Sequence, residues 1–215
     1  SVVHPASSAL VATTGTFNGP SITLGGAAAL DSKIVFDGNA QDYHIGLDDS
    51  SDSLTIGLGS ALGTTSHMII DATGAVTKPL QPAFLARPAS QQANFVNDTE
   101  VTVVFGTEIF DQNADFSSNT FTAPVAGRYQ LNMLVYFANL DSASAYYIAC
   151  IKTSNRNYEI VFDPDFGQDA VYWGASLSVL ADMDASDTAH IFVQQTGTEQ
   201  TDIQTGSAFS GYLVA

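Results

Sequence analysis

Residues 120–134, TFTAPVAGRYQLNML, constrain the fold more than any other stretch. From Gly127 onward, Tyr129, Leu131, Met133, Val135 and Phe137 recur at every second position, so they share one face of a long strand. The opposite face carries Arg128, Gln130 and Asn132 before turning apolar at Leu134 and Tyr136. A strand of this length with one fully apolar face must lie in a sheet packed against a second layer. The preceding Ala-Pro-Val-Ala-Gly reads as a corner. Pro124 fixes φ and ends the first strand's pairing, and Gly127 permits a sharp turn without a Cβ clash. Tyr129 then brings a large ring with a polar tip into the new strand.

The rest of the C-terminal part repeats the signal. EVTVVF, SAYYIACIKTS, YEIVFD, VYWGASLSVLADM, AHIFVQQT and SAFSGYLV are β-prone runs separated by Asn, Asp, Gly and Ser. With about eight to ten such strands and no long amphipathic helix, the expectation is an all-β sandwich or barrel. Tyr172 and Trp173 are adjacent in one run, so one ring should point inward and the other outward or into an interface.

The first part reads differently. Residues 1–30 are rich in Gly, Ala, Ser and Thr and suggest short strands and turns that gain order against partner chains. KIVFDG, DYHIGLDD, SLTIGLGS and HMIIDATG then place short β-prone runs before Gly or Asp. Each is too short to be stable alone, and three copies packed around an axis would remedy that. TKPLQP, with Pro79 and Pro82, marks a stiff boundary. The predicted division is therefore a stalk or assembly region over residues 1–80 and a compact domain over residues 81–215.

Charge narrows the function. The 22 acids outweigh 6 bases for a net charge of −16, so the surface repels phosphate and lacks the basic footprint of a nucleic-acid binder. No apolar run approaches the roughly 20 residues of a membrane-spanning helix, so membrane insertion is not expected. No charged-then-apolar leader opens the chain, and a first residue other than methionine suggests processing or a fragment. The single cysteine, Cys150, sits in the apolar run AYYIACIK and reads as a small core residue.

No catalytic pattern stands out. His4, His44, His67 and His190 are scattered, with no HExxH, HxH or Cys/His array. There is no G-x-S-x-G elbow, and GLGSALG precedes no helix that could hold a phosphate. The chain is not expected to be an enzyme. Among the acids, Asp48, Asp49 and Asp52 read as a solvated turn. Asp163, Asp165 and Asp169 in FDPDFGQD are the calcium candidates, since hard cations take clustered oxygen ligands. No other cofactor is implied.

Residues 83–215 resemble the C1q-like domain of the tumour-necrosis-factor-like jelly-roll superfamily. Phe121, five intervening residues and Gly127-x-Tyr129 match the family's Phe and Gly-x-Tyr pattern, and SAFSGYLVA resembles its closing strand. Leu131 and Met133 stand where the family usually carries aromatics. The resemblance implies a jelly roll and a homotrimer. Residues 33–76 resemble the repetitive β segments of bacteriophage tail fibres. Together these imply a trimeric virion appendage, a fibre or spike. It would assemble with other virion proteins and attach through its jelly-roll knob to a glycan or protein on a bacterial surface. The alternatives are a purely structural virion protein, such as a capsid decoration or tail component, and a secreted bacterial C1q-like adhesin.

Overall fold

In a computed structural model, residue 19, residues 23–26 and residues 28–215 are described, and they contain strands, turns and bends but no helix. The short strands expected over residues 1–30 fall largely outside the described residues. The chain forms two compact units. One runs through Thr65 and adds Ile69–Val76; the other comprises Ser66–Met68 and Thr77–Ala215.

A five-stranded sheet orders β1 (Ser32–Phe36), β2 (Tyr43–Asp48), β3 (Ser53–Leu58), β4 (Ser66–Ile70) and β5 (Val76–Thr77) in sequence. In the first three strands, register sets two contrasting faces. Ile34 pairs with Ile45 and Ile45 with Ile56; Phe36 pairs with Tyr43 and Tyr43 with Leu58; Leu47 pairs with Leu54. Cross-strand partners share a face, so these apolar side chains form three layers on one side. The other side carries His44, Gly46, Asp48, Ser53, Thr55 and Gly57. Residues 59–65 fold back over that polar side. Leu58 N–H donates to the Thr65 carbonyl, His44 Nδ1 donates to the Gly59 carbonyl at 2.9 Å, and Gly63 lies against the Asp48 carboxylate. On β2 and β3 this polar face is therefore buried, whereas Lys33 and Val35 of β1 on the same side stay exposed, and the apolar face is open: Ile34 is 47% exposed, Phe36 61%, Leu47 49% and Ile56 37%. Among the described residues, this unit contains no buried hydrophobic side chain.

The second unit is a two-sheet sandwich built from β6 (Ala83–Arg87), β7 (Val101–Thr102), β8 (Thr107–Asp111), β9 (Phe116–Ser117), β10 (Thr120–Thr122), β11 (Gly127–Leu140), β12 (Tyr147–Thr153), β13 (Asn157–Phe162), β14 (Ala170–Met183), β15 (Thr188–Gln195), β16 (Asp202–Ile203) and β17 (Ala208–Leu213). One sheet has the order β14-β11-β17-β6-β8, with β16 also on β11; the other has β13-β12-β15-β10-β9, with β7 also on β15. The expected alternation holds, since Tyr129, Leu131, Met133, Val135 and Phe137 are all buried. Phe84 is the hub of the core. It stacks on Phe116 and Phe121 with centroids 5.0 and 4.8 Å away and meets Phe209 edge-on at 5.0 Å.

At the corner, Ala123 still exchanges backbone hydrogen bonds with residues 186 and 187, so pairing ends at Pro124. The Tyr129 hydroxyl donates to the Val125 carbonyl at 2.8 Å and ties the corner to the strand that follows. The role of Gly127 differs from the expected one. Its φ is not positive, but an added Cβ would lie 2.6 Å from Leu213 Cδ1 and 2.8 Å from the Ala215 carbonyl oxygen. Its value is therefore close packing of β11 against residues 213–215 rather than freedom to turn.

Candidate binding cleft at the loop end of the sandwich

At one end of the sandwich, four separate segments converge on an open cleft of about 380 Å³ lined by Asn94, Asn139, Asp169, Ala170, Val171 and Gln200. Asn94 and Asn139 have φ of 49° and 55°, left-handed conformations that asparagine tolerates well. Buried Asp202 holds both: one oxygen accepts from the Asn94 backbone N–H at 2.9 Å and the other from Asn139 Nδ2 at 3.0 Å. Asp169 accepts from the Ser142 N–H, the Ser142 hydroxyl and Gln200 Nε2, at 3.0, 2.8 and 3.0 Å. Led by the Ser142 N–H, these donors hold its carboxyl below the usual range.

A buried network supports the cleft. Asp141 accepts from the Thr198 N–H at 2.7 Å, the Thr198 hydroxyl at 2.8 Å and the Ala143 N–H at 2.8 Å. The Thr198 N–H is the largest influence holding this carboxyl low, against the opposing effect of burial. The Tyr147 hydroxyl joins the Asp141 N–H, Gln195 and Thr201. Burial pushes the Tyr147 phenol above its ordinary value. It is consequently a fixed hydrogen-bond node at neutral pH.

The arrangement offers amides, one carboxylate and the apolar Val171 to a ligand. Such groups suit hydroxyl-rich molecules, whose oxygens both donate and accept hydrogen bonds. Tyr172 and Trp173 lie on opposite faces of β14, as expected, but both stay exposed, at 59% and 39%, so neither ring is fully inward. Tyr172 packs against Tyr136 at 5.3 Å, whereas Trp173 lies between Phe162 and Phe166 at 5.7 and 4.9 Å.

The acids singled out in the sequence do not gather. Among the described residues, no group of three His, Cys, Asp or Glu side chains could hold a metal ion. Asp169 belongs to the cleft, while Asp163 accepts the Asp165 N–H at 3.1 Å in a local turn. Asn94, Asn139 and Gln200 gave no sequence signal, because only the fold brings their loops together.

Away from the cleft, the outer face of the β14-β11-β17 sheet carries charge only at one end, where Arg128 registers with Asp182; the stretch beyond that pair is uncharged. Gln130, Asn132, Leu134 and Tyr136 on β11 register with Leu180, Ser178, Ser176 and Gly174 on β14. Ala208, Ser210 and Tyr212 on β17 lie on the same face. Gln130 donates to the Ser178 hydroxyl at 2.8 Å, and Ser178 donates to Asn132 at 2.7 Å. Leu134, Leu180 and Tyr212 stand exposed around this polar string.

Residues 83–214 match the C1q domain family. The chain belongs to that family. Its all-β sandwich fits the C1q-like fold that the corner and closing strand led one to expect. Among solved structures, the C1q-like head is similar to the globular domain of zebrafish complement 1qA, at 19% identity over 63% of this chain and 98% of that one, with a TM-score of 0.44. It is also similar to murine APRIL, at 8% identity over 62% and 99% of the respective chains, with TM-scores of 0.45 and 0.46 for structures at pH 8.5 and pH 8.0. No curated protein matches the chain.

Proposed function

We propose that the protein is a homotrimeric virion appendage component, of the tail-fibre or spike type, that attaches to a bacterial surface through its C1q-like head. The observation that carries this reading is the outer face of β11, β14 and β17, uncharged beyond the Arg128–Asp182 register pair at one end, in a chain of net charge −16. Copies of so acidic a protein repel one another across most of their surfaces. They can approach on a face of amides, hydroxyls and exposed Leu and Tyr without confronting like charges. Membership of the C1q domain family supports the same assembly. The placement on a virion rests on the layout, a short-strand region preceding a compact head.

The ligand class follows from the cleft. Its amides and single carboxylate favour a surface glycan over a phosphate-rich polymer, which the acidic surface would repel. Three clefts per trimer, and several trimers per particle, would yield avidity from modest single-site affinity.

The test combines mass and binding. Light scattering on the purified chain should return three times 22.6 kDa. Leu180→Glu, which adds an unpaired negative charge to the uncharged stretch of this face, should lower that mass to one chain. Binding to host envelope glycans should fall with Gln200→Ala while the trimer persists. A wild-type monomer would sink the assembly. A trimer that neither binds cells nor blocks virion adsorption would instead identify a purely structural part.

A further inference from the structure

The sheet formed by β1, β2 and β3 has the opposite arrangement from a free-standing domain. Its polar face is covered on β2 and β3 by the chain's own residues 59–65, with Lys33 and Val35 of β1 exposed beside the cover, while its apolar face is left in solvent. Burying Gly, Thr and His while exposing Ile and Phe runs against the hydrophobic effect unless another surface covers the apolar side.

We infer that two further copies of this chain cover it, the β1–β3 sheets of three chains closing around a common axis with their apolar faces inward. This deepens the assembly reading above and rests on it. Register is the first argument. Ile34, Ile45 and Ile56 are directly paired, so the middle layer consists of isoleucine alone. Under threefold symmetry each layer meets itself, and aliphatic side chains of one size interdigitate with their own copies. Charge is the second. The layers carry no ionisable group except the Tyr43 phenol, whereas Asp37, Asp42, Asp49 and Asp52 lie in the turns at the strand ends. An acidic rim around an apolar strip disfavours an anionic lipid surface, and the strip itself imposes no repulsion between copies. Dimensions are the third. Three strands about 4.8 Å apart make a strip roughly 10 Å wide, and three alternate-residue layers make it about 15–20 Å long. That is narrow for docking a globular partner and suits one side of a slender prism.

The experiment uses the full chain carrying Ile45→Cys, at the centre of the middle layer, and Val35→Cys, on the opposite face of the same sheet. The native Cys150 is buried with its thiol pushed up to about 12, so it stays silent while the protein is folded. Each variant is oxidised or treated with a short bis-maleimide and run on a non-reducing gel, with mass and fluorescence midpoint confirming trimer and fold. The expected result is covalent dimers from Ile45→Cys, with at most two of every three chains linked, and none from Val35→Cys. A trimer whose Ile45→Cys thiols react freely with a monofunctional maleimide overturns this inference and leaves the assembly reading standing. Thiols that are protected but never cross-linked also overturn it, since the cover then comes from within each chain, for example from residues 1–22. A monomer removes the assembly reading and the seam together.

Discussion

Replacing Gly127 by alanine sets two opposing effects against each other. The substitution restricts the unfolded chain, which alone would stabilise the protein by about 0.4–1 kcal/mol where the backbone is compatible. Since φ at Gly127 is not positive, that gain is available. Against it, the new methyl would sit 2.6 Å from Leu213 Cδ1 and 2.8 Å from the Ala215 carbonyl oxygen. Overpacking of this kind costs about 1–3 kcal/mol. Part of the strain falls on backbone, because the Arg128 N–H donates to that same Ala215 carbonyl at 2.8 Å. The crowding should win, for a net loss of about 1–2 kcal/mol. For a unit of this size that corresponds to a fall in midpoint of roughly 3–6 °C. Urea titration at fixed protein concentration, followed by the fluorescence of Trp173, measures it, since the chain has one tryptophan. Leu213→Ala removes one of the two crowding atoms, so the double variant should lose less than the sum of the single losses. Gly127→Asn should be worse than Gly127→Ala if space is the issue and better if a left-handed turn is. A Gly127→Ala protein as stable as the wild type, or strictly additive losses with Leu213→Ala, would refute the close-packing account.

Three further outcomes are expected. Phe84→Ala, which empties the hub between Phe116, Phe121 and Phe209, should cost about 3–5 kcal/mol in the same titration. Asp141→Ala leaves the Thr198 and Ala143 N–H groups without their carboxylate and should cost about 2–3 kcal/mol. Because the folded state holds the Asp141 carboxyl below its usual value, its stabilisation is complete above about pH 4 and is lost as pH falls through that depressed value. Asp141→Asn should flatten this acid limb of the stability profile, and an unchanged limb would count against the network. Finally, Cys150 should resist thiol reagents at pH 8 until denaturant opens the sandwich, because burial pushes its thiol to about 12; prompt labelling of the native protein would contradict its placement.

Much of the head was legible in the sequence because its signals are local. Alternation from Tyr129 to Phe137 can be read without knowing the partner strands, and it placed five core residues correctly. Short elements such as β9 and β16 were not legible, since a two-residue strand exists only through the neighbour it meets. Gly127 was singled out for the wrong reason, because the atoms that crowd it lie some 86 positions later. Asp163, Asp165 and Asp169 were grouped by proximity along the chain, yet the fold assigns Asp169 to the loop of Ser142 and Gln200. In the first unit the short strands were expected, but their faces were not. Period-two alternation tells which side chains lie together and is silent on which side the chain itself will cover.

The position of β17 governs the order in which the head can be made. Residues 208–213 lie between β11 and β6, in the interior of their sheet rather than at its border. During synthesis β11 and β6 therefore wait with unpaired backbone edges until β17 has left the ribosome, however early their own residues emerged. A chain stopped short of Ala208 retains two open edges and lacks Phe209 at the core, which marks it for aggregation or degradation rather than assembly. The fold thereby makes completion of this sheet, and of the core around Phe209, wait on the emergence of β17.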